Sequence, residues 1–381
     1  MKYMGSKRWM LSNGLGDLLT TEAPSAERFV DLFSGSAAVS WHVATKTNVP
    51  VVAVDLQVYS AVLGLAVLGR TRTLGSTRIL ERWVSDARSR LKADALYDDA
   101  LLLASRKLSR TGVFNARKLC AKSANPIAAS YGGYYYSPHQ ALTLDALRAT
   151  LPASEPSRSV CLASLIWAAT RCVAAPGHTA QPFQPTPTAL PFIKDAWSRD
   201  AIQIVNEVLP MIAGLKAQAR GRVITGDATE IARVQLTKND LVFLDPPYSA
   251  AQYSRFYHVL ETVARGSCSA VDGVGRYPPT VERPKSLFSL KGQAQRALDD
   301  LLVVLREKGC RVIMTFPQQP CSNGLVGDDV VRTAREWYEV DITAVAMRHS
   351  TLGGNNSYRA SRRATQELIM VMRPRQRGRR R

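Results

Sequence analysis

The chain has 381 residues, with 50 Lys and Arg against 31 Asp and Glu, a formal charge of +19 and a pI near 10. An apolar content of 46% is that of a globular protein and sets aside disordered and fibrous classes. No uncharged apolar run approaches the roughly 18 residues of a membrane span, and no apolar stretch follows Lys2, so neither a span nor a secretory signal is expected.

The first strand pattern is Arg28-Phe29-Val30-Asp31-Leu32-Phe33, which ends at Ser34-Gly35-Ser36 and leads into a helix over Ala37–Lys46. Val51-Val52-Ala53-Val54-Asp55 is a second buried strand closing on an acid, and Leu56–Leu68 resumes helical spacing, which completes a β-α-β unit. A long stretch without strand patterns follows. Thr77–Leu108 reads as helical, then come an aromatic loop, Tyr131-Gly132-Gly133-Tyr134-Tyr135-Tyr136, and helices around Leu142–Leu151 and Val160–Val173. A Pro-rich loop spans Pro176 to Pro191. Strands return at Arg222–Thr225, Asp240–Leu244 and Cys310–Phe316, the last preceded by a helix from Ala294 to Lys308. Val340–Met347 and Glu367–Met372 make a late antiparallel pair across a Gly/Asn/Arg loop.

This order predicts an α/β fold with a mostly parallel, seven-stranded, Rossmann-like sheet. The expected division is 1–67 and 221–372 for the two parts of the core, 68–220 for a mainly helical insertion, and 373–381 for a basic tail. Charge follows this division. Ser60–Ser130 holds 13 Lys/Arg against 5 Asp/Glu, and His349–Arg381 holds 9 Arg against Glu367 alone, a net of +8 in each. A polyanion is the first partner to consider. The Arg-rich tail after Met372 reads equally as a solvated end or as a phosphate contact. Six cysteines without a C-x-x-C pair and five scattered histidines point away from a disulfide scaffold or a metal centre, toward reduced thiols in the cytoplasm.

Two strings carry chemistry. A strand turning through Gly35 into a helix aims backbone N–H groups into a crevice, and Asp55, 20 residues on, has the spacing for ribose hydroxyls. With one glycine where a dinucleotide fingerprint has three, a nucleoside without a pyrophosphate fits better; an ordinary β-α turn is the plainer alternative. The sharper string is Leu241-Val242-Phe243-Leu244-Asp245-Pro246-Pro247-Tyr248. Asp245 then lies at the carboxyl end of a buried strand. Two prolines stiffen the chain and remove N–H donors, leaving carbonyls to accept, and Tyr248 offers a ring face. That set suits an aromatic amine.

Asp245-Pro246-Pro247-Tyr248 and the Asp31–Gly35 turn together resemble the amino-methyltransferases that use S-adenosylmethionine. Tyr3-Met4-Gly5-Ser6-Lys7 is similar to the N-terminal motif of Dam-type adenine methylases, and Gly226-Asp227-Ala228 to the Gly-Asp element before their catalytic strand. Gln252-Tyr253 and Tyr257-His258-Val259-Leu260-Glu261 resemble the helix after the tetrapeptide in restriction-modification methylases. The motif order is that of the α group of DNA adenine-N6 methyltransferases, whose class I methyltransferase fold the predicted sheet matches. The resemblance covers 1–60 and 220–372. It departs at Ser36-Ala37, where the family usually has a second glycine.

The resemblance implies S-adenosylmethionine held by Tyr3, Lys7, Asp31, Phe33, Gly35, Ser36, Asp55, Asp227 and Asp245. It implies catalysis by Asp245, Pro246, Pro247 and Tyr248 on an adenine flipped out of double-stranded DNA. Target reading then falls to the helical insertion, with Tyr134, Tyr135, Arg283, Lys285, Arg359, Arg362 and Arg363 as DNA-contact candidates, although tyrosines in such a loop also pack locally. A cognate restriction endonuclease is a possible partner. Cytosine N4, an RNA adenine and a DNA-binding protein with a vestigial core are the competing readings. The oligomeric state and the recognition sequence are not legible.

Overall fold

A computed structural model of the chain describes residues 7–348 and 364–375. The parallel strands are β1 (Arg28–Asp31), β2 (Val51–Asp55), β3 (Arg222–Thr225), β4 (Asp240–Leu244) and β5 (Arg311–Pro317). They are joined by an antiparallel pair, β6 (Tyr338–Arg348) and β7 (Ala364–Pro374). The spatial order is β3-β2-β1-β4-β5-β7-β6, with β7 antiparallel to β5. This is the mostly parallel seven-stranded sheet that the sequence predicts, and it is the class I methyltransferase architecture.

The central strands read as continuous apolar runs because both faces of the sheet are covered. Side chains alternate along each strand. Phe29, Val51, Ala53, Leu241, Phe243 and Ile313 enter one core, and Val30, Val52, Val54, Val242, Leu244, Val312 and Met314 enter the other. Helices Ala228–Gln235, Ala294–Glu307 and Gly327–Trp337 line the second face. The first face carries helices Ala38–Lys46, Val58–Leu68 and His258–Arg265 together with the helical segment between β2 and β3.

That segment shares the sheet's core. Its helix Ser157–Cys172 is buried almost throughout and packs on Val58–Leu68, His258–Arg265 and Ala201–Gly214. Trp83 from helix Thr77–Lys92 is also buried, its indole N–H donating to the Leu147 carbonyl at 2.9 Å. Three sequence expectations shift here. Thr77–Leu108 is two helices, Thr77–Lys92 and Tyr97–Ser105. Between them the Asp94 carboxylate accepts from the Leu96 N–H and the Asn125 amide, a local arrangement that competes with helix continuation. The helix expected from Leu142 starts at Pro138, because Ser137 and Gln140 form a reciprocal capping box. Ahead of the aromatic loop lies a helix not foreseen, Arg110–Cys120, whose first turn is capped by Ser109.

The start of β4 is held by a bidentate pair. Arg28 donates through Nε and Nη2 to the two oxygens of Asp240, each at 2.7 Å, and the Thr237 N–H donates to the same carboxylate. Asp240 is fully buried, so truncation leaves a guanidinium and an N–H without their acceptor. Asp240→Ala is expected to lower stability by about 3 kcal/mol, read from urea unfolding midpoints at an unchanged m-value.

Candidate active site

The carboxyl ends of β1, β2 and β4 open on one cleft, lined by acids, small turn residues and aromatic rings. The turn after β1 is built by two left-handed residues, Gly35 (φ 47°) and Ala37 (φ 59°). Ala37 stands where the resembled family usually has its second glycine, so the backbone keeps the glycine-like conformation at a strain of about 1 kcal/mol. The turn is clipped to β2: Asp55 accepts from the Gly35 N–H at 2.8 Å and from the Gln57 N–H at 2.9 Å. Burial pushes the Asp55 carboxyl up to about 6 against those two N–H groups. Asp31 is buried deeper. One oxygen accepts from Ser40 at 2.6 Å and the other has no hydrogen-bond partner among the described residues, and burial raises the pKa to about 7. Ser36, Phe33 and Asp227 line the same cleft. Asp227 also caps helix Ala228–Gln235, accepting from the Thr229 and Glu230 N–H groups.

At the end of β4, Asp245 faces Lys7 at 2.9 Å and accepts from the Thr315 hydroxyl at 3.1 Å. Burial and the nearby Glu367 carboxylate push the Asp245 carboxyl up to about 6, opposed by Lys7. Burial alone works against the Lys7 ammonium, but Asp245 and Glu367 more than offset it and hold the lysine protonated. Pro246 is buried; Pro247 lines the cleft and its carbonyl accepts from the Asn323 amide at 3.0 Å. Tyr248 is half-buried next to Asp245, its phenol pushed up to about 12 by burial. A carboxylate, a stiffened backbone and an aromatic ring therefore meet at one strand end, suited to hold a flat ring bearing an amine.

Several residues shape this cleft through contacts that the sequence does not show. Asn323, fully buried, donates to both Pro247 and Phe288, and Gln252 exchanges two hydrogen bonds with the Ser286 backbone at 2.7 and 2.9 Å. Together they pin the 284–288 loop over the cleft, where Phe288 meets Phe33 edge-on at 5.1 Å. Glu261 accepts from the Val58 and Tyr59 N–H groups, both at 3.1 Å, and so caps the helix that follows Asp55. Glu367, placed by the sequence only in a late strand, reaches Lys7. His258 is buried among the rings of Tyr131, Tyr135 and Tyr277 and its pKa falls to about 4 through burial. It is a core residue.

The nucleic-acid candidates divide. Tyr135 is a correction: it is fully buried, its one hydroxyl proton shared between the Thr179 carbonyl at 2.5 Å and the Gly275 carbonyl at 2.9 Å, so no ring face is left for DNA. Tyr134 is half-buried between two guanidiniums, Arg117 at 4.2 Å and Arg276 at 4.6 Å from its ring. Arg283 and exposed Lys285 flank Pro284, which lines the cleft, so both stand at its rim. Tyr3, Arg359, Arg362, Arg363 and the end of the tail lie outside the described residues. A further cluster, unread in the sequence, sits on helix Arg110–Cys120. Exposed Phe114 has Arg110 at 5.8 Å and Arg117 at 5.4 Å from its ring. The spacing of 110, 114 and 117 on one helical face was the available signal.

Comparison with known proteins agrees with this geometry. The chain is 23% identical over 350 residues to the modification methylase StsI of Streptococcus sanguinis, an alignment covering 90% of this chain and 47% of that protein. Over 69 residues it is 39% identical to the modification methylase LlaI of Lactococcus lactis subsp. lactis, covering 18% of this chain and 11% of the relative. The chain thus spans about half the length of the first relative, and less of the second. The pattern of D12 class N6 adenine-specific DNA methyltransferases matches residues 3–274, from before Lys7 through the strand-end Asp-Pro-Pro-Tyr and the helix behind it. With its sheet order and its motifs falling on one cleft, the chain belongs to the D12 class N6 adenine-specific DNA methyltransferase family.

Proposed function

We propose that this chain transfers a methyl group from S-adenosylmethionine to the N6 of an adenine flipped out of double-stranded DNA. The observation that carries the reading is Asp245, at the end of β4 and beside Tyr248, opening on the cleft that Asp31 and Asp55 also line. The cleft fits the cofactor on its own chemistry. Asp55 retains acceptor capacity toward ribose hydroxyls, the unpartnered oxygen of buried Asp31 faces a site that wants a donor or cation, and Phe33 and Phe288 offer apolar walls. Tyr3 and Lys7 belong to the methionine end, with Gly35, Ser36 and Asp227 along the turn. When bound, S-adenosylmethionine supplies an electrophilic methyl on a sulfonium.

The protein's share of the reaction is positioning and electrostatics. An adenine N6 lone pair is delocalised into the ring. Asp245 and the Pro246 carbonyl accept the two amine hydrogens, which favours a pyramidal nitrogen with its lone pair directed along the line of displacement. Tyr248 stacks on the base, and Asn323 fixes the tetrapeptide by holding Pro247. Target reading belongs to the segment 68–220, and the Arg110–Phe114–Arg117 cluster is a contact surface of planar ring and cations suited to nucleic acid. Arg283, Lys285, Tyr134 and the arginines at 359, 362 and 363 are further contact candidates. A cytoplasmic setting and a cognate endonuclease belong to the same reading.

Digestion of treated DNA to nucleosides is expected to yield N6-methyladenine; N4-methylcytosine in its place refutes the reading, as does turnover on RNA alone. Asp245→Ala is expected to reduce methylation by about a thousandfold while duplex binding stays nearly unchanged in a gel-shift titration. Cofactor affinity should rise with pH through about 6, because Asp55 must ionise there to accept most strongly, and then level off. Asp55→Asn removes that share of the slope and weakens binding by about tenfold in calorimetry. In the free protein the sign is reversed. Asp31, Asp55 and Asp245 have folded-state pKa values above the ordinary carboxylate range, so their contribution to stability is present at low pH and is lost as the pH rises through 6 to 7. Arg110→Ala should weaken DNA binding and lower the slope of log K against log salt by about one.

A further inference from the structure

Glu367 is the fourth residue from the start of β7 and is followed by the apolar run Leu368–Met372. It is opposite Pro317 at the end of β5, so it emerges at the same sheet edge as Asp245. Its side chain is 2% exposed and bonds the Lys7 ammonium, itself 5% exposed, while Lys7 holds Asp245 on its other side. The three charges form a buried row, carboxylate–ammonium–carboxylate, with a net charge of −1. Burying an uncompensated charge costs several kcal/mol unless something else balances it. Within the cleft the imbalance deepens. Asp31, Asp55, Asp227 and Asp245 line it, and Lys7 is the only cationic residue lining it among the described residues. A protein of formal charge +19 thus has an acidic cofactor cleft.

Without Glu367, Lys7 and Asp245 would be a neutral pair. With it, Lys7 is shared, and Asp245 keeps a negative field directed into the cleft. We propose that Glu367 is a positioning residue of the methyl-transfer site, which by engaging Lys7 leaves Asp245 unneutralised and so biases the cleft toward a cationic sulfonium ligand over the neutral thioether left after transfer. The inference rests on the cofactor reading above. It assigns a role to a strand outside the 3–274 match, and it gives the free cleft a reason to carry charge that the described residues do not balance. The bias acts on binding, through the difference of one unit charge between two ligands of otherwise similar shape. At an effective dielectric of about 20 and a separation of roughly 8 Å, a buried unit charge changes such a preference by several-fold after screening.

The test is calorimetric titration of the full chain with three ligands: S-adenosylmethionine, the cationic amine analogue sinefungin, and S-adenosylhomocysteine. Glu367→Gln keeps the shape and an acceptor for Lys7 while removing the charge. It is expected to weaken the two cationic ligands by about fivefold relative to S-adenosylhomocysteine. Glu367→Asp, which keeps the charge, should hold the relative affinities near those of the unaltered protein. A merely structural residue would weaken all three ligands alike and lower the unfolding temperature of both variants, and that pattern overturns the proposal. If the Gln variant does not fold, Glu367→Met, neutral and of similar length, is read in its place; a folded neutral variant with unaltered selectivity refutes the proposal, as does a folded Asp variant that loses selectivity. If the unaltered protein binds none of the three ligands, the cofactor reading itself fails, an outcome distinct from equal weakening.

Discussion

Among the described residues, four carboxylates meet at one edge of the sheet with Lys7 as the one ammonium, and much of the local architecture answers to that constraint. Asp31, Asp55 and Asp245 close β1, β2 and β4, and Glu367 enters from β7 running the other way. Parallel strands place their ends together, so three acids that are far apart in the chain share one low-dielectric cleft. Each is then partly stabilised by a different device: Ser40 for Asp31, the Gly35 and Gln57 N–H groups for Asp55, Lys7 and Thr315 for Asp245. The compensation is incomplete, and the carboxyls are pushed well above their ordinary range. Such residual strain is typical of sites that are completed by a ligand.

Two electrostatic scales operate in opposite senses. The formal charge of +19 is concentrated in two stretches of net +8 each, and the field of exposed basic side chains reaches one screening length, about 8 Å at physiological salt. The cleft acts only at contact distance, where low dielectric makes a few acids dominate. The family pairing of a nucleic-acid substrate with a methyl donor needs both fields in one molecule. Separation is achieved by depth: the basic residues on Thr77–Lys92 and Arg110–Cys120 are largely exposed, while the acids and Lys7 sit at the sheet edge.

The loops that cover the cleft show how a site can be fixed by residues with no chemistry of their own. Asn323 ties Pro247 to Phe288, Gln252 ties its own segment to Ser286, and Glu261 caps the helix behind Asp55. Each joins segments that are distant in sequence through side chain-to-backbone hydrogen bonds. Such bonds have no periodicity and no local composition, which is why these contacts were not legible even where the resemblance had already included Gln252 and Glu261. The converse case is Tyr135. An aromatic, glycine-rich string suggests a surface for stacking, yet Tyr131, Tyr135 and Tyr136 are all fully buried, because bulky rings fill the junction of the helical segment with His258–Arg265.

What the sequence by itself determined is the set of local patterns: apolar strands ending in acids, a glycine turn, Asp-Pro-Pro-Tyr, and the order in which they occur. Those features are local because strand burial and turn chemistry are decided by neighbours along the chain. From them follow the parallel sheet, the family and the residues Asp31, Asp55 and Asp245. Only the tertiary structure decided which charges share a dielectric environment. The burial of Tyr135 and the row Asp245–Lys7–Glu367 both depend on contacts between distant segments. Glu367 is the clearest instance. In the chain it is one acid before an apolar strand; in the fold, antiparallel insertion of that strand beside β5 brings it within reach of Lys7, and Coulomb energy in a dry site does the rest.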